Sequence, residues 1–570
     1  MDIIETNYQR WLNSPNVDEE TKKELLAMSE EEKGDAFFKD IEFGTGGMRG
    51  LLGPGTNRMN EYTVKRVAIA FGTYLLRKYP DAAERGVALS HDNRHQSREF
   101  TLLSAHILND MGIKCYIFDS LRPTPELSYA VRYSHCVGGV MVTASHNPKE
   151  YNGYKVYDDT GCQLTPDVIQ PMLDILASLP SETEADVPFA EKEAETVIYD
   201  KKIDDEYIAL VKTCQENPDL EKKGFKIIYT PQHGASYENA VRVFNECGYE
   251  FYPVESQCTH DPDFSGTLSP NPENKEAYSE AIKLANRVGA NLILTTDPDG
   301  DRCGLGYKGK DSEFHLLTGN QSAALLIDYL LGERKRKGTL SEEGVIYDTI
   351  VTSTLGSDIA SYYGVRTESF LTGFKYIGER IGHYEKLGKG PHFEFGYEES
   401  YGCLIKPFVR DKDAIQAILL YAEMALFHYL HGDDLGTAYT KLQEKYGFHD
   451  ARSVSFSFPG VAGAAKMKEL TKNLRENPFK DVLGVKVLEV QDYQSGNVYA
   501  DGKVIRKTGL PEADVIKFLL EDKSTIEVRP SGTEPKIKFY VEAVSKDEAG
   551  LKGKYEKMLG YLEEKLGIKK

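Results

Sequence analysis

Strands and helices alternate along most of this chain, and that alternation restricts the fold more than any other feature. From Glu61 a helical pattern runs to about Lys78, followed by a strand GVALSHD from Gly86, a helix from Ser97 to Met111 and a strand KCYIFDS from Lys114. A short helix then leads into CVGGVMVTASHNP, Cys136 to Pro148, an apolar run that ends in a polar turn. The same order returns from Phe225 to Asp297 and again from Asn320 to Ser400. Such alternation implies right-handed βαβ crossovers and mostly parallel sheets.

With 570 residues the chain is too long for one core. Its organisation is read as four domains. Residues 1–205 hold a helical amino-terminal extension, to about Lys39, and a first α/β domain; 206–318 and 319–450 are the second and third. In 451–570 the strands are separated by irregular pieces, which predicts a smaller α+β unit with a partly antiparallel sheet. The fold class expected is therefore three similar α/β domains with mixed, mostly parallel sheets plus a C-terminal α+β domain.

The formal charge of -20 argues against a general nucleic-acid binder, which needs basic surface to displace counterions. An anionic substrate would have to be drawn by a local cationic cleft. Eight cysteines without a CxxC pair predict reduced core thiols and neither disulfides nor zinc. The first residues, MDIIETNYQRWLNSP, are too polar for a signal peptide, and no apolar run reaches membrane-spanning length, so a cytoplasmic location and no membrane partner are expected.

Each repeat ends in unusual polar residues, where ligands of open α/β sheets bind. In the first, Ser145, His146 and Asn147 follow the apolar strand, flanked by Lys149 and Lys155, which could hold an anion. In the second, DPDGDR places Asp297, Asp299 and Asp301 at alternating positions. Carboxylates this close repel one another unless a cation is present. An EF-hand would need Glu at its twelfth position, where Lys308 stands, and the run lacks the Thr or Val of an aspartyl-nucleophile phosphatase. Magnesium fits better, since it takes few protein carboxylates and leaves room for phosphate oxygen.

The third repeat ends in EFGYEESYG, where an extended segment would put Glu398 and Ser400 on one face, suited to sugar hydroxyls. In RPSGTEPK, Arg529 and the amides and hydroxyls of Ser531, Gly532 and Thr533 form an anion nest. Near the amino terminus, FGTGGMRG presents Arg49 from a glycine-rich loop, and a guanidinium fork suits phosphate. Arg94, Lys375, Arg410 and Lys412 are further cations, each by itself more often a surface charge, and His233 reads as structural.

Taken together and in this order, FGTGGMRG, TASHNP, DPDGDR, GYEESYG and RPSGT resemble the α-D-phosphohexomutase superfamily, over about Glu42 to Val544; length and the amino-terminal extension resemble its larger phosphoglucomutase and phosphopentomutase branch. The resemblance implies a heart-shaped, four-domain enzyme with one motif per domain lining a central cleft. It implies that Ser145 is the phosphorylated nucleophile and that Asp297, Asp299, Asp301 and the serine phosphate hold Mg²⁺. Glu398 and Ser400, with Gly373, would grip sugar hydroxyls, and Arg529, Ser531, Gly532 and Thr533 would bind the phosphate already on the sugar. Arg49, Lys155, Arg302 and Lys412 would surround the migrating phosphoryl group, with Lys155 or His146 as the base.

The reaction so implied interconverts glucose 1-phosphate and glucose 6-phosphate through a phosphoserine and glucose 1,6-bisphosphate, the latter also serving as activator. Phosphopentomutase and phosphomannomutase activity are the alternatives of the same class, a phosphatase or a sugar-phosphate sensor those of others. The enzyme would be a monomer or homodimer with a small phosphosugar as partner. Two departures stand out: Gly46 replaces a serine common in relatives, and Tyr397 precedes EES where glycine is frequent, which touches the choice of hexose or pentose.

Overall fold

The computed structural model describes residues 2–44, 47–458, 460–531 and 536–568. The chain forms two compact units: Met1–Gly319 with Gly373–Asp434, and Asn320–Thr372 with Leu435–Lys570. None of the eight cysteines is in a disulfide, and no helix of the described residues is long and apolar enough to cross a membrane.

The first unit begins with helices Ile3–Asn13, Glu19–Ala27 and Glu30–Phe37, which close a small core around Trp11 and Phe37. This extension is tied to the following domain through Glu182, whose Oε1 accepts from Trp11 Nε1 at 2.5 Å and from Arg10 at 2.7 Å.

A mixed sheet follows. Strands Val87–His91, Cys115–Ile117 and Thr196–Ile198 run parallel to Gly138–Val142, as the βα alternation requires. On the other side of Gly138–Val142 the sheet is antiparallel: Tyr151–Asp158 returns beside it and Gly47–Leu51 joins next. These two strands carry polar residues and glycines instead of an apolar run; the first residues of Gly47–Leu51 fall in the stretch that reads as a glycine-rich loop, and the sequence reading gives Tyr151–Asp158 no element. Gly153 is required there, because a Cβ would lie 2.5 Å from the Thr143 carbonyl oxygen and 2.8 Å from that of Met48.

The second sheet, ordered Phe314–Leu317, Cys303–Lys308, Leu292–Thr296, Lys226–Thr230, Glu250–Pro253, likewise adds two antiparallel strands to a parallel core. Leu292–Thr296 is buried along its whole length, which is why its sequence, LILTT, is apolar or β-branched and carries no charge. Helix Ala414–Leu430 is apolar nearly all round and starts at the buried N-cap Asp413, whose carboxylate accepts from Ile415 and Gln416 amides.

In the second unit, parallel strands Gly344–Thr349 and Arg366–Phe370 form one piece. The C-terminal sheet is antiparallel along its whole path, not partly so, and has strands Asn497–Ala500, Lys503–Lys507 and Ile516–Leu520 that the sequence reading omitted. Helices Gly460–Glu476 and Lys554–Leu566 contribute Leu474 and Leu562 to its core.

Asp348, on Gly344–Thr349, is buried in this unit. Burial raises its pKa to about 7 despite Ser369 and Lys517, and its Oδ1 accepts no hydrogen bond from a described residue. A carboxyl so shifted favours the folded state in its neutral form, and that contribution is lost as pH rises from about 4 to about 7. Asp348→Asn is therefore expected to raise the unfolding midpoint at pH 8 and to have much less effect at pH 4, measured by thermal denaturation across that range.

Candidate active site

Residues from several segments of the first unit surround Ser145. The strand Gly138–Val142 ends three residues before it, and Ser145 itself sits at φ 52, the left-handed region that a non-glycine residue seldom occupies. Its backbone amide donates to Thr143 Oγ1 at 2.8 Å, and Thr143 Oγ1 donates to Asp92 Oδ2 at 2.6 Å. The side chain is nearly buried, and its Oγ donates to Asp297 Oδ2 at 2.7 Å.

The antiparallel return explains why two cations reach this turn. Lys155 pairs with Met141 in register, and Arg49 with Gly153 two residues earlier on the same strand, so both project from one face of the sheet. Arg49 Nη1 donates to Asn147 Oδ1 at 2.9 Å. Lys155 Nζ lies 2.7 Å from Asp299 Oδ2 and 3.6 Å from Asp301 Oδ2.

Asp297, Asp299 and Asp301 occupy the connection between antiparallel strands Leu292–Thr296 and Cys303–Lys308, with Gly300 at φ 67 making the turn. All three are buried, and a ligand oxygen from each lies within 4.8 Å of the others. Asp297 Oδ1 accepts from the amides of Asp301 at 3.1 Å and Arg302 at 3.0 Å. Thr124 supports Asp299 twice, through its amide to the carbonyl at 2.8 Å and through Oγ1 to Oδ2 at 3.1 Å.

Charge crowding sets the titration. Burial, with Asp299 and Asp301 close by, pushes Asp297 well above the usual carboxylate range. Burial acts the same way on Asp299, yet Lys155 outweighs it and holds Asp299 below that range. Lys155 and Lys412 keep their protons against burial because aspartates face them, Asp299 and Asp301 the first and Asp301 and Asp411 the second. His146, with Nδ1 3.2 Å from Ser145 Oγ, is held neutral by burial and by Arg302 and Arg49.

Lys412 Nζ stands 3.2 Å from Asp301 Oδ2, 3.2 Å from Asp411 Oδ1 and 3.6 Å from Glu398 Oε2. Glu398 Oε1 accepts from the amide of Gly373, itself at φ 121. The expected sugar-binding pair is changed in one respect. Strand His392–Tyr397 stops before Glu398, and Ser400 lies in a turn, so the two do not share a face of one strand. Arg302 points its Nη1 at Glu273 at 2.7 Å.

Lys149 turns away from Ser145 and pairs with Asp263 at 3.1 Å. Arg94, Lys375 and Arg410 are buried, contrary to their reading as surface charges. His233 is structural as expected, with Nδ1 near the Thr259 carbonyl and Nε2 accepting from the Gly266 amide. Arg529 and Ser531 belong to the second unit, where Arg529 Nη1 donates to Tyr540 Oη at 3.4 Å and the Ser531 amide to the Lys536 carbonyl. Gly46, Gly532 and Thr533 lie outside the described residues.

Four family models match the chain in sequence: phosphoglucomutase/phosphomannomutase alpha/beta/alpha domain I at residues 40–182, domain II at 205–310, domain III at 318–446 and the C-terminal domain at 466–551. Phosphoglucomutase of Staphylococcus epidermidis is 35% identical over 515 residues, 90% of this chain and 92% of its own length. This chain belongs to the phosphoglucomutase/phosphomannomutase family. Staphylococcus aureus (strain MRSA252) phosphoglucomutase is 33% identical over 534 residues, 93% of this chain and 94% of that one. Among solved structures, the exocytosis-sensitive phosphoprotein parafusin of Paramecium, a phosphoglucomutase in its open form, shares the fold with a TM-score of 0.67 at 19% identity, covering 91% of this chain and 94% of that one.

Within this family member, the aspartate trio has the chemistry of a cation site. Asp299 Oδ1 and Asp301 Oδ1 are buried and accept no hydrogen bond from a described residue, and the donors are hard oxygens of the kind divalent ions prefer. A divalent cation is expected to raise the unfolding midpoint, by about 2.7 kcal/mol of stabilisation at a hundredfold excess over its dissociation constant. Asp299→Asn should lose most of that gain in a thermal-shift titration; an equal gain in the variant would place the ion elsewhere.

Proposed function

We propose that this family member interconverts glucose 1-phosphate and glucose 6-phosphate, with Ser145 as the phosphoryl carrier. The observation that carries this reading is the hydroxyl of Ser145, held in a strained turn 2.7 Å from a buried carboxylate trio and flanked by Lys155 and Arg49. Phosphoryl transfer needs in-line positioning and neutralisation of the equatorial oxygens more than it needs covalent chemistry. Fixed cations in a water-poor site supply both without reorganisation.

Asp297, Asp299 and Asp301, with the serine phosphate, would hold Mg²⁺. The ion, when bound, neutralises charge on the phosphoryl oxygens. The remaining steps belong to the side chains. Phosphoserine 145 gives its PO₃ group to a sugar hydroxyl, breaking the Ser145 Oγ–P bond and forming a sugar O–P bond, while the hydroxyl proton leaves to the neutral imidazole of His146, since Lys155 already carries its proton. The bisphosphate turns over, its other sugar O–P bond breaks as the PO₃ group returns to Ser145 Oγ, and the freed sugar oxygen takes the proton back from the base. Arg49, Arg302 and Lys412 orient the moving group. Glu398 and Ser400, with Gly373, select the sugar hydroxyls. Glucose 1,6-bisphosphate primes Ser145, and the enzyme works on a soluble phosphosugar in the cytoplasm.

Relative turnover on glucose, mannose and ribose 1-phosphates tests the substrate, with kcat/KM expected to be highest for glucose. Ribose 1-phosphate as the best substrate would assign a phosphopentomutase, and free phosphate appearing in step with substrate loss would assign a phosphatase. Ser145→Ala is expected to abolish turnover while glucose 6-phosphate still binds in calorimetry.

A further inference from the structure

The turn that carries Ser145 is held from beneath by one guanidinium. Arg94 Nη2 donates to the carbonyl oxygens of Ser145 at 2.6 Å and Asn147 at 2.5 Å, and Nη1 to those of Pro148 at 2.7 Å and Tyr151 at 3.1 Å. Its Nε lies 3.1 Å from Asp92 Oδ2, and both side chains are wholly shielded from solvent. Four backbone carbonyls within seven residues thus converge on one side chain. The ring of Phe264 covers it, 5.1 Å from the guanidinium carbon.

The same carboxylate closes the circuit from the other side. Asp92 Oδ2 accepts from Thr143 Oγ1, which accepts from the Ser145 amide; Asp92 Oδ1 accepts from Ser97 Oγ at 2.7 Å and from the Arg94 amide at 3.0 Å. Both peptide groups that flank Ser145 are therefore tied to one Arg94–Asp92 pair. Left-handed φ at a serine persists only where its surroundings over-determine it, and this pair is what over-determines it here. Nothing in the pair reaches the reacting atoms, so its action is through Ser145.

We propose that Arg94 is a positioning residue for phosphoryl transfer, whose planar fork, together with Asp92 and Thr143, locks the Ser145 turn so that Oγ points at the aspartate trio. A lysine has the charge but neither the plane nor the paired donors, so it cannot serve four carbonyls and a carboxylate at once. This inference rests on Ser145 being the phosphoryl carrier.

The test uses the full-length enzyme with Mg²⁺ and glucose 1,6-bisphosphate, comparing parent, Arg94→Lys, Arg94→Gly and Thr143→Val, with folding checked by circular dichroism. A misplaced nucleophile should lower kcat of Arg94→Lys on the order of 100-fold with KM within about threefold of the parent. Guanidinium added at sub-denaturing concentration should restore Arg94→Gly about tenfold or more, while ammonium at equal ionic strength should not, because only the planar ion can refill the fork. Thr143→Val keeps the shape and removes only the hydroxyl, so it should lower kcat without changing KM even if the Arg94 variants do not fold.

A folded Arg94→Lys enzyme with kcat equal to the parent's overturns the proposal, as does guanidinium failing to rescue a folded Arg94→Gly. Should neither Arg94 variant fold, an unchanged kcat in Thr143→Val overturns it. A parent enzyme without mutase turnover refutes the functional reading instead, and a fully active parent with an indifferent Arg94→Lys refutes this inference alone.

Discussion

Three buried carboxylates on one short connection are the constraint on which the rest of this site depends. Unpaired, they would repel one another in a medium that screens little. Asp297 is partly relieved by two backbone amides and the Ser145 hydroxyl, and Asp299 and Asp301 by the ammonium groups of Lys155 and Lys412. Yet one oxygen on each of Asp299 and Asp301 has no donor among the described residues. Buried carboxylate oxygens left in this way suit a divalent cation, and that ties the metal question to the catalytic one.

The sheets are arranged to meet this demand. In the first domain, the antiparallel return Tyr151–Asp158 brings Lys155 back toward the end of the Ser145 strand, and Gly153 lets Gly47–Leu51 pack closely enough for Arg49 to reach Asn147. In the second, an antiparallel hairpin instead of another crossover places the aspartates on a tight turn. Both are departures from the parallel alternation, and both sit where the chemistry is. Strain at Ser145 and Gly373 is local and is held by buried polar contacts on either side.

Legibility in the sequence followed what each residue needed from its neighbours. Gly138–Val142 and Leu292–Thr296 were readable because strands covered on both faces must be apolar or β-branched throughout, and helix Ala414–Leu430 because its whole circumference is buried. Tyr151–Asp158 and Gly47–Leu51 were not, since their burial comes from distant partners and their charged and glycine residues imitate a loop. Ser145, Asp297, Asp299 and Asp301 were visible as a set because polar residues directly after apolar strands are uncommon, and the structure brings them together. Arg94 was missed for a physical reason: within SHDNRHQS it looks solvated, and only the folded turn supplies the carbonyls that neutralise it. Glu398 and Ser400 were paired on the premise of an extended backbone, which the chain leaves at Glu398.

If the Ser145 oxygen is a temporary phosphoryl acceptor, the group must be found on it during turnover. Intact-mass and peptide analysis of the enzyme, before and after incubation with glucose 1,6-bisphosphate and then with glucose 1-phosphate, should show a single phosphoryl group that resides on the Ser145 peptide and departs to the sugar. A phosphoryl group on another residue, or an enzyme that turns over substrate while Ser145 is never modified, would contradict it.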